Sequence, residues 1–97
     1  SVMQTFSIGI WNDRPRPHVV WIEPWGEDYT LLPGEKILIT TSDSNDGITP
    51  VFNLVETEGN TQVYVERLTY PKLEIDGVAI ECGHNRKAAI DAGIFPG

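Results

Sequence analysis

His18, Cys82 and His84 are the residues of this chain whose nitrogen or sulfur donors bind transition metals well. Two imidazoles and a thiolate form the donor set of a mononuclear copper site, which a weak axial ligand completes. Asn85-Arg86-Lys87 stands after His84 where an axial Met or Gln would be expected, and the only methionine is Met3. Arg86 and Lys87 would also place positive charge beside a bound cation. A surface histidine and a buried or half-buried cysteine explain the same residues without metal. The expectation is therefore no cofactor, with His18, Cys82 and His84 as the candidate ligands should one bind. Cys82 and His84 are also the sole local nucleophile and base pair, but such partners normally converge from different elements, and Gly83 interrupts the strand between them. An inert Cys82 packed on an apolar face is the simpler assignment. Asp43, Asn45 and Asp46 before Gly47 resemble the start of a calcium loop. With Gly47 in sixth place, the first and twelfth positions are Ser42 and Asn53, so both essential carboxylates are missing. Glu23, Glu27 and Asp28 supply paired carboxylates without an evident groove, and no glycine-rich phosphate loop occurs. No catalytic constellation is complete, and a noncatalytic protein is expected.

Binding chemistry concentrates in Trp21-Ile22-Glu23-Pro24-Trp25-Gly26 and the residues just after it. Tryptophan combines a large apolar area with an N–H that needs a partner, which places it in cores, at interfaces and under ligands. Trp21, Trp25 and Tyr29, with Glu23 and Asp28 close by, could form an aromatic platform for a sugar or a partner peptide. Packing competes with this assignment. Trp21 would then lie in the core, Trp25 would plug one end of the fold, and Glu23 would satisfy a tryptophan N–H or loop amides. Arg14, Arg16 and His18, together with Arg86 and Lys87, could make a local basic patch, for which a solvated loop is the competing and favoured reading.

The elements that must position these residues are almost all strands. Phe6, Ile8 and Ile10 alternate with Ser7 and Gly9, which predicts a first strand ending near Trp11 with one apolar face. Arg14-Pro15-Arg16-Pro17 interrupts it, because each proline lacks an N–H and restrains its predecessor, so Asn12 to Pro17 is expected to be an exposed loop. His18 to Glu23 is apolar on both faces, as in a strand covered on both sides or facing a partner. Tyr29 to Leu32 reads as a short edge strand, Pro33-Gly34 has the order of a type II turn, and Ile37 and Ile39 resume the alternation. Asp76-Gly77 suits a type I′ hairpin that sets Ile75 against Val78, Leu73 against Ile80 and Lys72 against Glu81. A second hairpin joins residues 51–57 to 61–68 through Glu58-Gly59-Asn60, with two- and three-residue loops both tolerable. Ser42 to Gly47 is polar enough for a mobile loop. Asn85 could cap a short helix ending before Gly93, although Arg86 and Lys87 at its start oppose the helix dipole.

The 97 residues suit one domain with one core. About seven or eight short strands with hairpin connections predict an all-β antiparallel sandwich, immunoglobulin-like or cupredoxin-like, with at most one short C-terminal helix. Seven basic against fourteen acidic residues give a net charge of −7, which repels nucleic-acid backbones. No apolar run reaches the roughly twenty residues of a membrane span, so no membrane partner is expected. A lone cysteine fits a reducing compartment, and the cytoplasm is the expected location, with a mature secreted form as the alternative. An edge strand left uncovered would allow a dimer; otherwise the chain is a monomer. Trp21-x-Glu23-Pro24-Trp25-Gly26-Glu27 followed by Leu32-Pro33-Gly34-Glu35 resembles a segment of small uncharacterised bacterial β proteins. That resemblance implies a small bacterial β protein and carries no activity. The sequence therefore points to a binding or interaction module with Trp21, Glu23, Trp25 and Tyr29 as its candidate surface. A metal-binding cupredoxin-like protein and a carbohydrate-binding sandwich are the alternatives.

Overall fold

Period-two alternation of apolar residues builds eight strands, which a computed structural model describes over residues 4–43, 50–66 and 69–80. In chain order they are β1 (Gln4–Trp11), β2 (His18–Glu23), β3 (Glu27–Leu31), β4 (Lys36–Asp43), β5 (Phe52–Thr57), β6 (Asn60–Val65), β7 (Lys72–Ile75) and β8 (Val78–Ala79). They form two four-stranded sheets, ordered β1-β4-β7-β8 and β3-β2-β6-β5. No helix occurs among the described residues. The expected loop at Ser42 to Gly47 begins later than anticipated, because β4 continues through Ser42 and Asp43 against Thr5 and Gln4 of β1. Residues 44–49 and 81–97, with the C-terminal helix expected there, lie outside the described residues.

One core joins the sheets. Ile10 of β1, Ile37 and Ile39 of β4, and Leu73 and Ile75 of β7 meet Val20 and Ile22 of β2, Tyr29 and Leu31 of β3, and Val63 and Val65 of β6. Burying an aliphatic side chain of this kind contributes about 1.5–3 kcal/mol, and alternation lets β2, β6 and β7 commit every second residue to it. The doubly apolar β2 obeys the same rule: His18, Val20 and Ile22 are buried, whereas Val19, Trp21 and Glu23 face the other way and are only half-buried.

Turn chemistry sets much of the connectivity. Glu35 N donates to Leu32 O at 3.0 Å, closing a turn with Pro33 and then Gly34 at φ 86°, the type II geometry that requires positive φ in third place. At the β7–β8 hairpin Asp76 and Gly77 both take positive φ, 51° and 81°, and Ile75 pairs with Val78 while Ile80 N donates to Leu73 O at 3.1 Å. The expected register holds, but the apolar face does not persist to the tip. Leu73 and Ile75 are buried and Ile80 packs on the core, whereas Val78, at the tip of the hairpin, is 66% exposed. Lys72 approaches Glu74 on its own strand, with Nζ 3.8 Å from Oε1, and Glu81 lies outside the described residues. The β5–β6 hairpin selects the two-residue loop, with Thr57 opposite Asn60.

One pairing departs from the expected antiparallel arrangement: β2 and β6 run parallel, with Trp21 opposite Gln62 and Ile22 opposite Val63. A hairpin forces antiparallel neighbours, but β2 and β6 are separated by a passage through the other sheet and carry no such constraint. The second sheet is therefore mixed. β5 is its exposed edge, with Leu54 and Val55 each 46% exposed.

Asn12 is the principal surprise of the expected loop. It is fully buried where β1 leaves its sheet, and its backbone N donates to Glu35 O while its own carbonyl accepts from Gly34 N, both at 2.8 Å. Its side-chain Nδ2 donates to Arg16 O at 2.8 Å and to Leu31 O at 3.0 Å, and its Oδ1 accepts from Arg14 N at 3.1 Å. Asn12 thereby ties together the end of β1, the Arg-Pro loop, the end of β3 and, through its backbone, the turn into β4.

Candidate functional site

The β2–β3 hairpin places the aromatic residues that could bind. The Glu23–Pro24 peptide is cis, Gly26 N donates to Ile22 O at 3.0 Å, and Trp25 at the apex folds back to pack half-buried on the core. Tyr29 faces the core from β3 and is 2% exposed, which corrects its assignment to an open platform. Its ring packs inside while its hydroxyl donates to Glu27 Oε2 at 3.1 Å. Tyr70, 50% exposed, also donates to Glu27 Oε2, and the two phenol oxygens lie 3.2 Å apart. Trp25 meets Tyr70 edge to face, with ring centres 5.1 Å apart and planes at 74°, a favoured geometry because the positive edge of one ring meets the negative face of the other. Glu27 Oε1 has no hydrogen bond among the described residues.

The four residues singled out from the sequence do not form one surface. Trp25 and Tyr29 converge at this end of the fold, whereas Trp21 and Glu23 occupy the outer face of the β3-β2-β6-β5 sheet, where Trp21 lies opposite Asp28 and Gln62. Two residues apart on a strand share a face, so Trp21 and Glu23 belong together and Trp25, in the turn, is released from that alternation. Trp21 Nε1 donates to Asn60 Oδ1 at 3.2 Å, so Asn60 rather than Glu23 satisfies it. Trp11 is the most exposed tryptophan, at 58%. Glu27 could have been noted as the partner of Tyr29 two residues along, but Tyr70 joins from 41 residues away and no local pattern announces it.

The phenol of Tyr29 is held protonated far above its ordinary range, first by burial, then by its hydrogen bonds to Tyr70 and Glu27 and by their charge. It acts as a donor that orients Glu27, with no capacity to ionise near neutral pH.

His18 is the one candidate metal ligand among the described residues, and it points into the fold. It is fully buried, with Nε2 2.7 Å from Thr61 Oγ1 and Nδ1 without a partner. Thr61 Oγ1 lies 3.5 Å from Glu56 Oε1; a hydroxyl that donates to this carboxylate accepts from an Nε2–H, which leaves Nδ1 as a bare lone pair. The buried His18 therefore does not contribute to a basic surface with Arg14 and Arg16. Cys82, His84, Arg86 and Lys87 lie outside the described residues. Among the described residues no three His, Cys, Asp or Glu side chains gather to hold a metal ion.

Burial, and then the Arg14 charge, lower the His18 pKa from 6.5, with Glu56 acting in the opposite direction. The unfolded chain accepts this proton near pH 6.5 while the folded chain resists it. The contribution to stability is thus complete above that pH and declines as pH falls through it towards the lower folded value. Urea unfolding at about pH 7.5 and pH 5.5 should show a smaller loss on acidification in His18→Gln than in the wild type. Equal losses would show that the imidazole titrates as freely in the folded chain as in the unfolded one.

No helix of the described residues is long and apolar enough to cross a membrane. Compared with known proteins, the chain matches no family model, no curated protein and no solved structure.

Proposed function

We propose that this chain is a noncatalytic binding module on a β-sandwich, immunoglobulin-like or cupredoxin-like, whose ligand seats at the Trp25, Tyr70 and Glu27 end. Two facing four-stranded sheets on one core support the sandwich. The parallel β2–β6 pair departs from the all-antiparallel immunoglobulin scheme.

The observation that carries this function is the half-exposed aromatic pair beside a carboxylate whose Oε2 is fixed by two phenols and whose Oε1 is unengaged among the described residues. Aromatic faces take the C–H surface of a sugar ring, and an oriented carboxylate oxygen accepts its hydroxyl protons, so the ligand class is carbohydrate. The same geometry supports a noncatalytic role: Glu27 is engaged by two donors, and Tyr29 keeps its proton. A phenol that keeps its proton is not a poised nucleophile or base.

Titration of a panel of mono- and oligosaccharides, followed by tryptophan fluorescence and amide chemical shifts, tests this. Trp25→Ala should weaken the responding sugar about 10-fold or more, as expected of a central aromatic contact, while Trp21→Ala should leave it within about twofold. Far-UV circular dichroism would verify that both variants fold. A panel with no response, or equal losses in the two variants, would reject the site.

A further inference from the structure

At the opposite end of β2 from Trp25, the Arg-Pro loop and the β5–β6 turn face one another across a cleft of about 320 Å3. Its walls are Arg14, Pro15 and Arg16 on one side and Thr57, Glu58 and Gly59 on the other. We propose that this cleft binds a small ligand through a carboxylate or phosphate group held between the Arg14 and Arg16 guanidinium groups. The proposal does not depend on sugar binding at the Trp25 end.

Charge is the first ground. The chain carries −7 overall, yet two of its seven Lys and Arg residues flank this one opening. Among the described residues neither guanidinium has an ion-pair partner, although Glu58 stands in the facing wall. Guanidinium forks are matched in shape and charge to the two oxygens of a carboxylate or phosphate. Thr57 adds a hydroxyl with no hydrogen bond among the described residues. Glu58 supplies the discrimination: it repels a densely charged anion and accepts from a hydrogen-bond donor elsewhere on the ligand, which favours a compact molecule with one anionic group.

Backbone rigidity is the second ground. Pro15 and Pro17 fix their own φ angles, and Asn12 grips the loop on both sides of Pro15, accepting from Arg14 N and donating to Arg16 O. The facing turn is anchored by Val19 N, which donates to Gly59 O at 3.0 Å. A Cβ placed on Gly59 would meet nothing within 4 Å, so this wall opens onto free space. Both arginines thus leave a backbone that is already ordered, and a ligand need order little beyond their side chains.

The test is a titration of the intact chain with inorganic phosphate and, separately, with acetate, each against sodium chloride at matched ionic strength. Amide shifts should concentrate at Arg14, Arg16, Thr57 and Gly59 and leave Trp25 and Tyr70 unmoved. The oxyanion that binds tighter identifies the source of the anionic group. Arg14→Gln and Arg16→Gln should each weaken binding about 10-fold, the loss expected for a charge-assisted hydrogen bond, with thermal midpoints close to wild type because both side chains reach solvent. A bound anion also offsets the Arg14 charge acting on His18, so the His18 ring protons should titrate at higher pH in its presence. Shifts that sodium chloride reproduces, or a double Arg14→Gln, Arg16→Gln variant that titrates like the wild type, would overturn the proposal.

Discussion

Asn12→Ala should lose about 3 kcal/mol of folding stability, the sum expected when one buried carbonyl and two partly buried groups lose their partners. The carbonyl of Leu31 lies in the buried interior and has the larger penalty, while Arg14 N and Arg16 O are nearer water. For a domain whose whole stability is about 5–15 kcal/mol, such a loss moves the urea midpoint by a large fraction of its value. Asn12→Asp separates hydrogen bonding from volume: it keeps the shape and the acceptor for Arg14 N but turns oxygen towards two carbonyls that need a donor. It should be at least as destabilised as the alanine variant at neutral pH. A urea midpoint for Asn12→Ala within error of the wild type would show that water replaces the amide and that this junction holds itself together.

Tyr29→Ala should cost about 3–5 kcal/mol, the usual range for removing a buried aromatic ring from a core. Tyr29→Phe should cost only about 1–2 kcal/mol, because it removes one hydrogen bond to a carboxylate and leaves the ring in place. The contrast separates the buried ring of Tyr29 from the hydroxyl that holds Glu27. Thermal or urea unfolding of the two variants would measure it. Similar losses in both would place the energy in the hydroxyl network, whereas a small loss in Tyr29→Ala would contradict the burial of the ring.

The candidate site was half legible. Trp25 beside Pro24 and Gly26 announces a turn, and the packing half of its reading is what the fold shows: Trp25 packs on the core and meets Tyr70 edge to face. Trp21 is separated from it by strand geometry, since a residue at the end of β2 and one in the turn no longer follow a single alternation. Tyr70 was out of reach of any local reading because it arrives from beyond β6. Asn12 was missed for a related reason. A polar residue before an Arg-Pro run suggests a solvated loop, and only the convergence of β1, β3 and the Pro33-Gly34 turn supplies the partners that make its burial favourable.

Local chemistry by itself determined the strands and the tight turns, because alternation and positive-φ residues act between neighbours. Phe6, Ile8 and Ile10, the Pro33-Gly34 turn and the Asp76-Gly77 register all follow from contacts a few residues apart. Tertiary structure decided the parallel neighbourhood of β2 and β6, the burial of His18 and Asn12, and the meeting of Trp25, Tyr70 and Glu27. Each of these depends on which sheet faces enclose a side chain and which distant strand supplies its partner, and neither composition nor spacing encodes that choice until the two sheets close on one core.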